Sequence, residues 1–255
     1  MSFSPEWLAL RAPYDAKARD AELARRFAAS LPPAPLIVDL GCGTGANALA
    51  LAPLLPQARF RLVDSDRALL DIARRRLPCE IVQADLNHDL ARLLGDADAL
   101  SASALMDLVS AAWFDALAAQ AATRRLPLLF TLNVDGRHSL RPADDNDSLV
   151  FAAFARDQRR DKGFGPALGP EAPRYMQARL ASLGASVILA DSSWRVAGDG
   201  RDLLAAFLDG MAEAATRAAP ADATAIAGWR RRRESQIANG SLSLTVGHQD
   251  LLALW

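Results

Sequence analysis

Residues 39 to 45 read Asp-Leu-Gly-Cys-Gly-Thr-Gly, so Gly41, Gly43 and Gly45 alternate with Cys42 and Thr44 directly behind an acidic side chain. Residues without a Cβ allow a tight turn and let a ligand approach the backbone closely. If a helix follows, its free N–H groups and positive end point at the same spot. Acidic residues recur downstream at Asp64, next to Ser65, and at Asp85. A carboxylate at a strand end can accept hydrogen bonds from both hydroxyls of a ribose. These residue types in this order describe a cradle for a nucleotide-type cofactor.

Such a cradle needs strands to hold it. The apolar run 36–38 ends in Asp39 and reads as a buried strand, with an Ala- and Leu-rich helix over about 46–54. Further strands are expected at 60–63, 80–82, 97–102, 126–132 and 185–190, and a last one at 242–246, with 251–254 extending it. Helical patterns lie between them, at 67–76 and 111–122 among others, and an amphipathic helix at 15–29 precedes the first strand. The alternation predicts an α/β fold: a doubly wound, mostly parallel seven-stranded sheet with the ligand crevice at the carboxyl ends of the strands. We expect one domain over 1–255, with an N-terminal helical extension (1–30), an insertion or lid with helices (138–184), and a helical insertion before the last strand (198–240).

Composition narrows the classes. The 255 residues are 51% hydrophobic and carry a formal net charge of -1, which offers no general attraction to nucleic acid. The Arg230–Arg233 run, followed by Glu234, reads as a solvated helix face. Two cysteines, Cys42 and Cys79, form no disulfide framework, and three histidines without clustered cysteines leave no zinc pattern, so no metal is expected. The N-terminal residues lack a signal-peptide layout, and no uncharged apolar run is long enough for a membrane span. A cytoplasmic protein, monomer or homodimer, is the expectation.

The stretch Asp39-Leu-Gly41-Cys-Gly43-Thr-Gly45 resembles the first motif of the class I S-adenosylmethionine-dependent methyltransferases. The resemblance implies S-adenosyl-L-methionine as cofactor, with its methionine part wrapped by residues 39–45 and its ribose held by Asp64 and Ser65. It also implies that Asp85 bonds the adenine amine while Leu86 packs on the ring. Ser101 and Ser103 would line the cofactor pocket and Met106 would reach the sulfonium side. The Rossmann-like methyltransferase fold and an enzyme acting on a small-molecule O or N nucleophile follow from it. A rival is open: Gly41-x-Gly43-x-x-Ala46 also satisfies the dinucleotide pattern of an NAD-dependent oxidoreductase. A non-catalytic S-adenosylmethionine-binding protein is the third reading.

Methyl transfer is an in-line displacement that needs alignment and, for a protonated nucleophile, a base. His138, beyond the fifth strand, and His248, near the last strand, are the candidate bases. Residues 158–169 combine charge, an aromatic ring and hinge glycines, as a lid over a site does. Arg159 and Lys162 there are candidates to hold an anionic group of the acceptor, with Phe164 and Trp194 as wall residues. Arg11 is a candidate for the cofactor carboxylate.

Overall fold

The computed structural model describes residues 3–88 and 90–255. Two helices come first, α1 (Pro5–Ala18) and α2 (Ala21–Ala29), where one helix over 15–29 was expected. The amphipathic period runs through the break, but Asp20 interrupts it by capping α2, its side chain accepting from Leu23 N at 2.7 Å. Arg19 leaves helical geometry as a result.

Next come β1 (Leu36–Leu40), α3 (Ala46–Leu51), β2 (Arg59–Asp64), α4 (Arg67–Arg76) and β3 (Glu80–Gln83). The short α5 (Leu90–Leu94) leads to β4 (Ala99–Ser103), α6 (Ala111–Arg124) and β5 (Leu128–Arg141). Beyond it lie α7 (Asp147–Gln158), α8 (Ala172–Ser182), β6 (Ser186–Asp191) and β7 (Trp194–Val196). The helical pair α9 (Arg201–Ala218) and α10 (Ala223–Ala238) precedes β8 (Ser243–Leu254).

The sheet runs β3-β2-β1-β4-β5-β8-β6, seven strands as expected, with β7 added against β8. Pairs from β3 through β5 are parallel, whereas β8 is antiparallel to β5, β6 and β7. β1 is buried along its whole length, as a central strand covered on two faces must be. Two strands exceed their expected lengths. β5 continues through Arg141 past register shifts at Phe130/Asn133 and Val134/His138, and β8 is continuous from 243 to 254. A bulge re-aims side chains beside a site, and Leu132 at the first shift has φ +56°. Its N–H donates to Asp250 Oδ1 at 2.7 Å, while Asp250 Oδ2 accepts from Asp20 N at 2.8 Å. One buried carboxylate thereby ties β8 to β5 and to the start of α2. No helix among the described residues is long and apolar enough to cross a membrane.

Candidate functional site

The carboxyl ends of β1 to β4 border a cavity of about 260 Å³. Gly41, Gly43 and Gly45 all have left-handed φ, at +60°, +53° and +78°. A Cβ on Gly41 would stand 3.1 Å from Leu105 Cδ1, so the loop packs where only glycine fits without a shift. Gly43 N donates to Asp64 Oδ2 and Asp66 N to Asp64 Oδ1, each at 2.9 Å, and this aims the carboxylate along the cavity wall. Asp39 is fully buried at the floor. Its Oδ1 accepts from Ser101 Oγ (2.6 Å) and Asn47 Nδ2 (2.9 Å), while Oδ2 has no partner among the described residues. Burial pushes its carboxyl above the usual range, against these two hydrogen bonds.

The N-terminal helices supply the opposite wall. Arg19 Nη2 donates to Ser103 Oγ at 3.1 Å, and its buried Nε has no partner among the described residues. Arg11 forks onto Asp15 at 2.9 and 3.2 Å, and Trp194 Nε1 donates to the same carboxylate at 3.0 Å. At the far end, Asp85 Oδ1 accepts from Asn87 N at 2.9 Å, the main reason its carboxyl lies below the usual range. Asn87 Nδ2 also reaches Gly163 O at 2.8 Å, which ties the segment after α7 to this rim. Leu86 O accepts from Trp113 Nε1 at 2.9 Å, and Phe164 stands edge-on to Trp113 at 5.5 Å.

A second cavity, about 250 Å³, lies alongside. The two share Phe3, Arg11, Ala104, Leu108 and Lys162 as walls. Aromatic rings dominate it: Trp194 stands 6.1 Å from Phe207 and 5.0 Å from His248, and Phe154 is 5.5 Å from His138. Each histidine places Nδ1 3.1 Å from a carbonyl, of Gly136 for His138 and of Val246 for His248, which assigns the proton to Nδ1. Burial lowers the pKa of His138 and takes that of His248 down to about 3, so both are neutral near pH 7.

Most of the residues singled out in the sequence gather on these two cavities. Asp39, Gly41, Cys42, Gly43, Thr44, Asp64, Ser65, Asp85, Leu86, Ser103 and Phe164 line the first. His138, His248 and Trp194 line the second, and Lys162 lines both. Gly45 starts α3 behind the loop, and Ser101 sits under it, holding Asp39. Met106 lies in the core with Phe114 and Leu117, and exposed Arg159 pairs with Glu171 at 3.5 Å, outside both linings. Sequence reasoning missed two residues. Arg19 turns inward only because a helix breaks beside it. Asp107, on the second cavity, was given no role there.

Strand order separates the readings of the glycine loop. A dinucleotide-binding sheet continues 3-2-1-4-5-6 in parallel, whereas here antiparallel β8 lies between β5 and β6. Residues 37–126 match the family model described as a methyltransferase domain. That match assigns a methyltransferase domain to residues 37–126. Within that domain lie the glycine loop, Asp64, Asp85 and β4. A segment of 51 residues is 49% identical to trans-aconitate 2-methyltransferase of Paracidovorax citrulli (strain AAC00-1) and spans 20% of this chain and 20% of that relative. Among solved structures, the YcgJ protein of Bacillus subtilis is similar at TM-score 0.52 and 12% identity, covering 92% of this chain and 98% of that one. A mycolic acid cyclopropane synthase, complexed with SAH and CTAB, is similar at TM-score 0.50 and 13% identity, covering 89% of this chain and 80% of that one. At these identities the structural likeness concerns the methyltransferase fold alone.

Proposed function

We propose that the protein transfers a methyl group from S-adenosylmethionine to an O or N nucleophile of a small molecule. The observation that carries this reading is the pair of cavities with a common wall, one on the glycine loop and one walled by aromatic rings. The residues present fit the cofactor: the loop leaves a cradle that a Cβ would narrow, and Arg19 Nε and Asp39 Oδ2 are buried polar atoms without partners among the described residues. Asp64 and Ser65 would hold the ribose, Asp85 the adenine amine, and Leu86 the ring face. Arg19, with Arg11 behind it, would hold the carboxylate by charge-assisted hydrogen bonds. Bound there, S-adenosylmethionine supplies a methyl carbon open to in-line displacement.

The chain's own part is to align the acceptor, exclude water and receive a proton. Phe164, tied through Trp113 to Leu86, would close the adenine end. Lys162 would hold an acceptor near the seam, and Trp194, His138 and His248 would wall it as neutral rings. No nucleic-acid partner belongs to the proposal, because Arg230, Arg232 and Arg233 already pair with Asp209, Asp144 and Asp147. Cytoplasmic location and a monomeric or homodimeric state complete it.

Calorimetry tests the cofactor directly. S-adenosylmethionine and its demethylated product are expected to bind wild type in the micromolar range, with at least a tenfold loss in Asp64→Ala. Binding of NADH in their place would overturn the reading.

A further inference from the structure

The loop after β4 puts Asp107 at the seam of the two cavities. It lines the second, and its neighbours Ala104 and Leu108 line both. Its backbone is pinned, since Gly169 N donates to Asp107 O at 2.9 Å and Leu168 N to Val109 O at 2.8 Å. Its Oδ1, by contrast, is buried with no hydrogen-bond partner among the described residues. Native proteins leave few such atoms, and a carboxylate oxygen can only accept. A ligand group carrying an O–H or N–H is its natural complement.

The surroundings sharpen the choice. Arg11 of α1 and Lys162 after α7 act on Asp107 through charge without bonding Oδ1. Across the cavity stand His138 of β5, His248 of β8, Asp157 of α7 and Arg217 of α9. Asp157 is already engaged by Arg160, Lys162 and Arg217 at 3.1, 3.3 and 3.4 Å. Apart from these groups the walls are mainly apolar, with Trp7, Phe154, Trp194 and Phe207 among them. Flat rings gain from edge-on and offset contacts with such walls.

We propose that the second cavity takes a small aromatic hydroxyl or amino compound and that Asp107 is its catalytic base. This rests on the reading that the first cavity holds S-adenosylmethionine. The acceptor's O–H or N–H bond breaks and its proton moves to Asp107 Oδ1. The electron pair left on oxygen or nitrogen forms the bond to the methyl carbon, and the pair of the broken carbon–sulfur bond stays on sulfur. Burial pushes the Asp107 carboxyl up to about 6, so near pH 7 it is ionised yet more basic than an exposed aspartate.

Phenol and anisole, alike except for the O–H, are the probes. Their binding to the protein saturated with S-adenosylhomocysteine is measured by calorimetry at pH 5 and 7.5. Wild type is expected to bind phenol at least tenfold more tightly than anisole at pH 7.5, with the preference shrinking at pH 5. Asp107→Leu is expected to abolish the preference. Asp107→Asn, whose amide oxygen still accepts, is expected to keep it without the pH dependence. Unimpaired S-adenosylhomocysteine binding certifies that each variant is folded. Equal binding of the probes to wild type, binding of neither, or a preference retained in Asp107→Leu would overturn the assignment. If Asp107→Leu does not fold, an unaltered pH dependence in Asp107→Asn overturns it. Failure of wild type to bind S-adenosylhomocysteine is a separate result, and it removes the cofactor reading itself.

Discussion

A Cβ added at Gly41 would meet two obstacles: a φ of +60° and the side chain of Leu105, 3.1 Å away. The left-handed conformation costs a non-glycine residue roughly 1–2 kcal/mol. Gly41→Ala is therefore expected to lose about that much stability in urea melts, and to weaken S-adenosylhomocysteine binding as the loop shifts toward the cavity. Asp107 affects stability in the opposite sense. Its carboxyl rises from 3.8 to about 6 on folding, so the folded chain holds a proton there that the unfolded chain has released. Stability from this group is present below pH 4, falls through the window from 4 to 6, and is fully lost above it. Asp107→Asn is expected to gain about 3 kcal/mol over wild type at pH 8, and almost nothing at about pH 3, in chemical melts. Asp39, Asp64 and Asp85 were legible because each follows an apolar run that reads as a strand. Asp107 ends no strand, so nothing in its local pattern tells a cavity wall from a surface loop. Met106, one residue away, was read toward the site, but it is buried in the core among Phe114 and Leu117.

At the scale of elements, apolar runs and helical patterns were enough to place β1 to β4 with α3 and α4, whereas the short α5 was not foreseen. It failed wherever polar side chains are satisfied locally. The stretch 247–250 reads Gly-His-Gln-Asp, which looks like a turn, yet His248 and Asp250 are buried in the middle of β8 with partners of their own. The split between α1 and α2 escaped for the same reason, since the cap on Asp20 is invisible to a helical period. The α7–α10 contact offers an element-scale test. Arg233 is fully buried and bonds Asp147, Pro142 O and Gln236, while Trp229 Nε1 donates to Asp147 at 2.7 Å. Removing one partner of such a pair strands the other charge in the interior, at a cost of about 3–5 kcal/mol. Asp147→Ala is expected to lower the melting midpoint accordingly, whereas the S-adenosylhomocysteine affinity of the folded fraction stays unchanged, because Asp147 borders neither cavity.

For the molecule as a whole, the parallel half of the sheet holds the glycine loop and the acidic residues, and the antiparallel half carries much of the second cavity. The first half could be read from motifs; the second has no motif and depends on how β5, β7, β8 and the α7–α10 helices converge. β8 also determines when the sheet can close. It lies between β5 and β6 with ladders on each side, so both neighbours keep an open edge until residues 243–254 have been synthesised. Open edges invite pairing with other chains, and ladders between strands so distant in sequence form slowly. A nascent chain must therefore keep two open strand edges apart while more than fifty residues, including α9 and α10, emerge between β6 and β8. Once it emerges, β8 joins the two halves of the sheet and brings Asp250 to Leu132 and Asp20.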